Sequence, residues 1–285
     1  MNAADTVKRW IQGKLWDYFW HNYQIPEIQP AELAVPVAHH EPQFHENICM
    51  PPYLGHAKFD DYSFLISVVK TRAAKTILEL GTAHGNTVAN ICAESQARIF
   101  TVNALPEQME GSVITFSLER EQIGLVYRQH GFQDRVVQLY ANTRSMDLSR
   151  WVPPRSVDLA IVDACHDPEF VVNDFIQVLP TLRPAALVLL HDTDPSAEGY
   201  LLDSYLGCMY LRKMGFNVKH VSGTSWGVWR ADAPGFSRSA ADLTRNALHT
   251  ASGVLLFGGR DGFIQALRWF ASGFMRGKFG SRVSA

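Results

Sequence analysis

Four side chains able to ligate a cation or move a proton stand in two short stretches of the chain. Asp163 and His166 lie in IVDACHD, and His191 and Asp192 lie in LLHDT. Each stretch closes a short apolar run, DLAIV from 158 and ALVLL from 186, of the kind that forms a strand buried on both faces. If the two strands are parallel neighbours, their carboxyl ends lie side by side. Asp163 and Asp192 then face one crevice, with His166 and His191 beside them. Carboxylate oxygens with an imidazole suit Mg, Mn or a similar divalent cation, which can bind a substrate hydroxyl and lower its pKa. A histidine is equally placed to take a hydroxyl proton near neutral pH. Any one of the four could simply cap a loop; the cluster as a whole favours chemistry.

A second segment, Ile77-Leu78-Glu79-Leu80-Gly81-Thr82-Ala83-His84-Gly85-Asn86-Thr87, runs from an apolar strand through a glycine turn into a helix. Gly81 permits a tight turn at the strand's end, and Gly85 lets a ligand approach the backbone. In open α/β sheets that crevice is where ligands bind. Neither GxGxxG nor GxxxxGK followed by Ser or Thr is present, which argues against a nucleotide pyrophosphate. Glu79 inside the strand would repel a pyrophosphate and instead fits a ligand carrying a cation.

The E-L-G-T-x-x-G-x-T run resembles motif I of the class I S-adenosylmethionine-dependent methyltransferases. The resemblance covers about Ala74 to Arg230 and implies S-adenosylmethionine held by Glu79, Gly81, Thr82, Ala83, Gly85 and Thr87, with the strand acid near its ammonium group. It places Asn103 where a carboxylate usually accepts the ribose hydroxyls, with Glu107 as a nearby alternative, and Asn142 where an acid commonly meets the adenine amine. The later couplet, Asp163 to His166, a helix, then LRPAALVLLHD, is similar to small-molecule O-methyltransferases that act on sugars and phenolic natural products. Some members hold a divalent metal with acids from these two strand ends. By that likeness Asp163, His191 and Asp192 are the metal candidates, Asp163 also borders the cofactor, and His166 with Asp163 forms the catalytic pair. Cys165 stands where the subgroup often has a second acid, which leaves two routes open: a metal, or His166 acting alone as the base.

The elements that must position these groups are legible as alternation. Apolar runs at 76, 98, 135, 158 and 186 are interleaved with helical stretches over Thr82–Glu94, within Thr115–Gly131, over Glu169–Leu182 and around Leu201–Met214. FNVKHV and SWGVWR then suit a terminal antiparallel hairpin. The reading is a Rossmann-like, doubly wound, mostly parallel seven-stranded α/β sheet spanning 72–232. Before it, 1–71 would form a cap. Val7, Trp10, Ile11, Leu15 and Phe19 share one face of a first helix, six prolines between Gln24 and Tyr53 impose a loop wrapping the body, and Asp60 and Asp61 precede a helix to Arg72. After it, 233–285 reads as a helical extension. Phe263, Ile264, Leu267, Phe270 and Phe274 lie opposite most of a basic set, a pattern read as a helix packed on the body, with membrane-surface contact as the lesser reading. His39, His40 and His45 read as a surface loop or substrate lid.

Composition limits the function classes. With 26 Lys and Arg against 28 Asp and Glu, the 285-residue chain has no basic surplus for nucleic acid. No run of roughly 18 apolar residues suggests a transmembrane helix. Cys49, Cys92, Cys165 and Cys208 contain no CxxC pair and read as buried thiols of a cytoplasmic protein. The expected partner is a small molecule with a hydroxyl acceptor; the aromatic-rich first helix leaves a homo-oligomer open. Two alternatives stand beside methyl transfer: a nicotinamide-dependent oxidoreductase, disfavoured by the missing GxGxxG, and a catalytically silent cofactor-binding partner protein.

Overall fold

In the computed structural model, residues 20–44, 61–109, 117–194 and 201–231 are described, with the backbone alone at 201–203. The first helix of the sequence reading, His45, Cys49 and the extension 233–285 lie outside the described residues. Among the described residues, eight strands form one sheet: β1 (Glu27–Ile28), β2 (Thr76–Leu80), β3 (Arg98–Asn103), β4 (Val136–Tyr140), β5 (Val157–Val162), β6 (Leu182–Leu190), β7 (Lys219–Val221) and β8 (Gly227–Arg230). Their order is β1-β7-β8-β6-β5-β2-β3-β4, parallel throughout except where β8 runs against β6 and β7. Chain order reverses between β2 and β5, the switch point at which such sheets open a crevice.

The expected seven strands are therefore eight. The extra one is the dipeptide Glu27–Ile28, paired in parallel with His220 and Val221. Two residues among prolines carry no periodicity, so the strand exists only because the β7 edge accepts it. The central strands are apolar on both faces, and Ile77, Leu78, Leu80, Leu159 and Ile161 are fully buried. Each such side chain contributes roughly 1.5–3 kcal/mol by leaving water.

Helices α1 (Asp61–Thr71), α2 (Asn86–Glu94), α3 (Leu125–Gln129), α4 (Pro168–Val178) and α5 (Leu201–Lys213) cover the sheet. Phe64, Val68 and Val69 of α1 join Val88 and Ile91 of α2 in one core cluster with Ile77 and Ile99. The helix expected within 115–131 shrinks to five residues, because left-handed Gly124 and Gly131 bracket it. Pro180 turns the end of the fourth helix into a short 3-10 segment, Leu179–Thr181, which leads into β6. Among the described residues no helix is long and apolar enough to cross a membrane.

The proline-rich segment is pinned rather than loose. The backbone N–H groups of Ala38 and His40 donate to Ser67 and Ser63 of α1 at 3.1 and 2.8 Å. Asn90 of α2 then fastens its end with three hydrogen bonds and uses a fourth within its own helix. Its Oδ1 accepts from Gln43 N and Phe44 N, and its Nδ2 donates to Phe44 O and Asn86 O. His39 and His40 therefore sit over α1, and His39 Nε2 lies 2.7 Å from Glu41 at the surface.

Candidate active site

The ladder continues one residue past several strands, which aligns the residues that matter. Gly81 N donates to Val102 O, Asp163 N to Leu80 O, and His191 N to Val162 O, at 2.8–3.0 Å. Gly81, Asp163 and His191 thus stand abreast at the carboxyl edge. Gly81 adopts φ +109°, and a Cβ there would lie 1.9 Å from the Asp163 carbonyl oxygen. Only glycine lets the β2 turn press this close to the end of β5. Gly85 is also left-handed, at φ +85°, but its open side is filled by Tyr127 and by Gly124, whose Cα a Cβ would meet at 2.9 Å. Its missing side chain makes room for the start of α3. Gly124 N and Val126 N donate to Ala83 O and His84 O, tying that helix to the turn.

The metal-candidate side chains converge. His191 Nδ1 lies 3.3 Å from both Asp163 Oδ1 and Asp192 Oδ1. One ligand atom from each of Asp163, His191 and Asp192 fits within 4.8 Å of the others. His166 joins them, its Nε2 3.1 Å from Asp192 Oδ2 and 3.9 Å from Asp163 Oδ1. Asp192 itself has φ +57°, a left-handed conformation that few residues other than glycine, asparagine and aspartate adopt readily.

Two further members come from distant segments. Asp61, the first residue of α1, accepts from Ser225 N at 2.6 Å and from the Ser225 hydroxyl. That leaves Ser225 Oγ to accept from His191 Nε2, 3.0 Å away, with Asp61 Oδ2 at 3.5 Å. The outer ring nitrogen is thereby held, and the inner one faces the two carboxylates, the arrangement usual around a metal-binding histidine. Trp226 closes the ring's flank edge-on, at 4.5 Å between centroids. The sequence reading treats Asp61 as a helix cap and Ser225 as part of a hairpin. They lie 164 residues apart, and no local pattern links them to His191.

Burial would push both histidines towards the neutral form, but the charges around them prevail. His191 is held well above its ordinary pKa by Asp192 and Asp163, and His166 is raised by the neighbouring carboxylates of Asp163 and Asp192. Burial works against the charge of Asp163, yet the two rings hold its carboxyl well below the usual carboxylate range. Asp61 is likewise lowered despite burial, by His191 and Ser225.

The residues expected at the cofactor fall into two sets. Ala83 and Thr87 lie at the surface of the turn and the first turn of α2, Ala83 exposed and left-handed at φ +45°. Asn103 ends β3, its Oδ1 accepting from Ala83 N at 3.0 Å and its Nδ2 donating to Ala104 O, so its amide braces the glycine turn. Glu107 is exposed in the short 3-10 turn Pro106–Gln108. The remaining three are turned inward. Asn142 is buried, donating to Gln108 O and accepting from Arg144 N. The Thr82 hydroxyl meets Thr101 at 2.7 Å beneath the turn. Glu79 is 2% exposed, accepts from the Thr101 hydroxyl at 2.6 Å, and has its pKa pushed up to about 8, chiefly by burial.

Residues 78–193 match the model of a family described as a methyltransferase domain. Among solved structures, cofactor-bound Rv0187 from MTB is 19% identical, over 59% of this chain and 78% of its own, with a TM-score of 0.45. TomG, an O-methyltransferase of Streptomyces achromogenes involved in tomaymycin synthesis and solved with SAM, is 17% identical over 75% and 94%, with a TM-score of 0.42. An O-methyltransferase of Bacillus cereus solved with SAH is 15% identical over 70% and 85%, also at 0.42. A search of curated proteins returns no match. The matched segment, residues 78–193, holds the glycine turn, Asp163, His166, His191 and Asp192, and is similar to a methyltransferase domain.

Proposed function

We propose that the protein transfers the methyl group of S-adenosylmethionine to a hydroxyl of a small molecule, with a divalent cation held by Asp163, His191 and Asp192. The observation that carries the reading is the meeting of one imidazole and two carboxylates at the ends of adjacent strands, beside the glycine turn. Two oxygens and a nitrogen suit Mg or Mn, and the brace from Asp61 and Ser225 on the far side of His191 supports the same assignment.

When bound, S-adenosylmethionine supplies an electrophilic methyl group on a sulfonium. The turn from Gly81 to Gly85, with Thr87 and the Asn103 brace, would hold its amino-acid portion and ribose. Glu79 would face its ammonium group, and Asn142 the adenine edge. The cation would supply charge against which an acceptor hydroxyl loses its proton. The chain's own tasks are to hold acceptor oxygen and methyl carbon in line and to receive that proton. His166 is the residue for the second task. Its Nε2 bonds to Asp192, which fixes the ring and links its protonation to the neighbouring carboxylates.

The test is methyl transfer to a panel of small catechols, phenols and sugars, run with metal-stripped protein and again with Mg or Mn. Turnover that needs the cation and is lost in Asp163→Asn and Asp192→Asn supports the proposal. Equal turnover with and without the cation would remove the metal and leave His166 as the base. Transfer only to nitrogen or carbon acceptors would refute the hydroxyl assignment.

A further inference from the structure

Beneath the glycine turn runs a chain of polar side chains, four of them buried and Gln138 half-buried, that joins the proposed cofactor acid Glu79 to α3. It runs from Tyr127 on α3 through Gln138 on β4, Thr82 in the turn and Thr101 on β3 to Glu79 on β2. The contacts are 3.0, 3.0, 2.7 and 2.6 Å. Gln138 is the polar residue of an otherwise apolar VVQLY strand, set between Thr82 and Tyr127.

The donor direction can be worked out link by link. Gln138 Nε2 faces the carbonyl oxygens of Leu139 and Thr101 at 3.2 and 3.4 Å, which only a donor can do, so this nitrogen also donates to Thr82 Oγ1. Gln138 Oε1 must then accept, and the Tyr127 hydroxyl donates to it. At the other end the Thr101 hydroxyl donates to Glu79 Oε2, so Thr82 donates to Thr101. Every proton in the chain points towards the Glu79 carboxyl. Tyr127, the origin of the chain, is the same ring that fills the space beside Gly85 and Gly124.

We propose that Tyr127, Gln138, Thr82 and Thr101 are positioning residues that aim donors at Glu79 so that its carboxylate can receive the cofactor's ammonium group. The proposal rests on the assignment of S-adenosylmethionine to this crevice. Burial favours the neutral acid; the aligned donors lower the cost of the ionised form that an ammonium group would pair with, and they fix the geometry of its oxygens.

The experiment compares two probes by calorimetry on the full chain: S-adenosylhomocysteine, which carries the ammonium group, and methylthioadenosine, which lacks the amino-acid portion. Thr101→Val keeps the shape but removes the last donor and should weaken S-adenosylhomocysteine binding by about tenfold, as for a hydrogen bond to a charged group. Gln138→Leu should weaken it by a few-fold, while methylthioadenosine binding stays within about twofold for both variants. Thr101→Ser, which restores the hydroxyl, should restore wild-type affinity. Unchanged S-adenosylhomocysteine affinity in Thr101→Val and Gln138→Leu would overturn the proposal. A parallel loss of both probes would do the same, since it marks a collapsed turn. Wild-type protein that binds neither probe would overturn the cofactor assignment and this inference with it.

Discussion

Glu79→Gln should make the protein more stable and a poorer cofactor binder, and the size of the first effect follows from burial. Glu79 is 2% exposed, and burial, with a smaller push from Asp163, raises its pKa from 4.5 to about 8 against the opposing bond from Thr101. The folded state therefore keeps a proton that the unfolded chain releases near pH 4.5. The stability this group allows is complete below pH 4.5 and is lost as pH rises through 8. A gap of about 3.5 units at 1.36 kcal/mol each gives a loss of about 5 kcal/mol by pH 9, of which about 3 has gone by pH 7. Glutamine keeps an oxygen for the Thr101 hydroxyl and has no proton to lose. Urea unfolding followed by tryptophan fluorescence should show equal stability near pH 4.5 and a variant advantage of several kcal/mol at pH 9. In the same samples, calorimetry should show weaker S-adenosylmethionine binding by the variant. A variant less stable than wild type at pH 9, or a stability difference that does not change with pH, would refute the reasoning.

Other substitutions test separate parts of the account. Asp174 of α4 is fully buried, bonded to Asn173, and raised to about 6 mainly by burial, so it should cost about 3 kcal/mol as pH climbs from 4 to above 6. Asp174→Asn should remove that loss, seen as a flatter stability–pH profile from urea unfolding at pH 4.5 and 8. Asn90→Leu strips three hydrogen bonds from the proline-rich strap and should cost about 2–3 kcal/mol, with faster proteolytic cleavage between residues 37 and 44. Gly81→Ala forces a Cβ into the Asp163 backbone and should cost on the order of 3 kcal/mol in urea unfolding. It should also abolish cofactor binding in calorimetry, because the turn and Asp163 must separate.

The sheet was legible because its central strands are apolar on both faces and sit between helical stretches, a contrast visible in five consecutive residues such as TILEL. Glu27–Ile28 shows the limit of that signal. Its pairing is decided by the β7 edge, not by the dipeptide. The short α3 was over-read because apolar spacing says nothing about where Gly124 turns left-handed. At the site, Asp163, His166, His191 and Asp192 could be grouped because parallel neighbours bring their carboxyl ends together. Asp61 and Ser225 could not, since their meeting depends on how α1 and the β7–β8 turn pack. Gly81 looked like a tight turn and Gly85 like room for a ligand. The chain itself fills the space that the Gly85 side chain would take, and Asp163 crowds Gly81.

The central claim is that the crevice at Gly81 and Asp163 binds S-adenosylmethionine. Calorimetric titration of metal-stripped protein with that cofactor, alone and with Mg, tests it most directly. The account expects saturable one-to-one binding, lost in Gly81→Ala and weakened in Glu79→Gln. A folded sample that takes up no S-adenosylmethionine in either condition would contradict it.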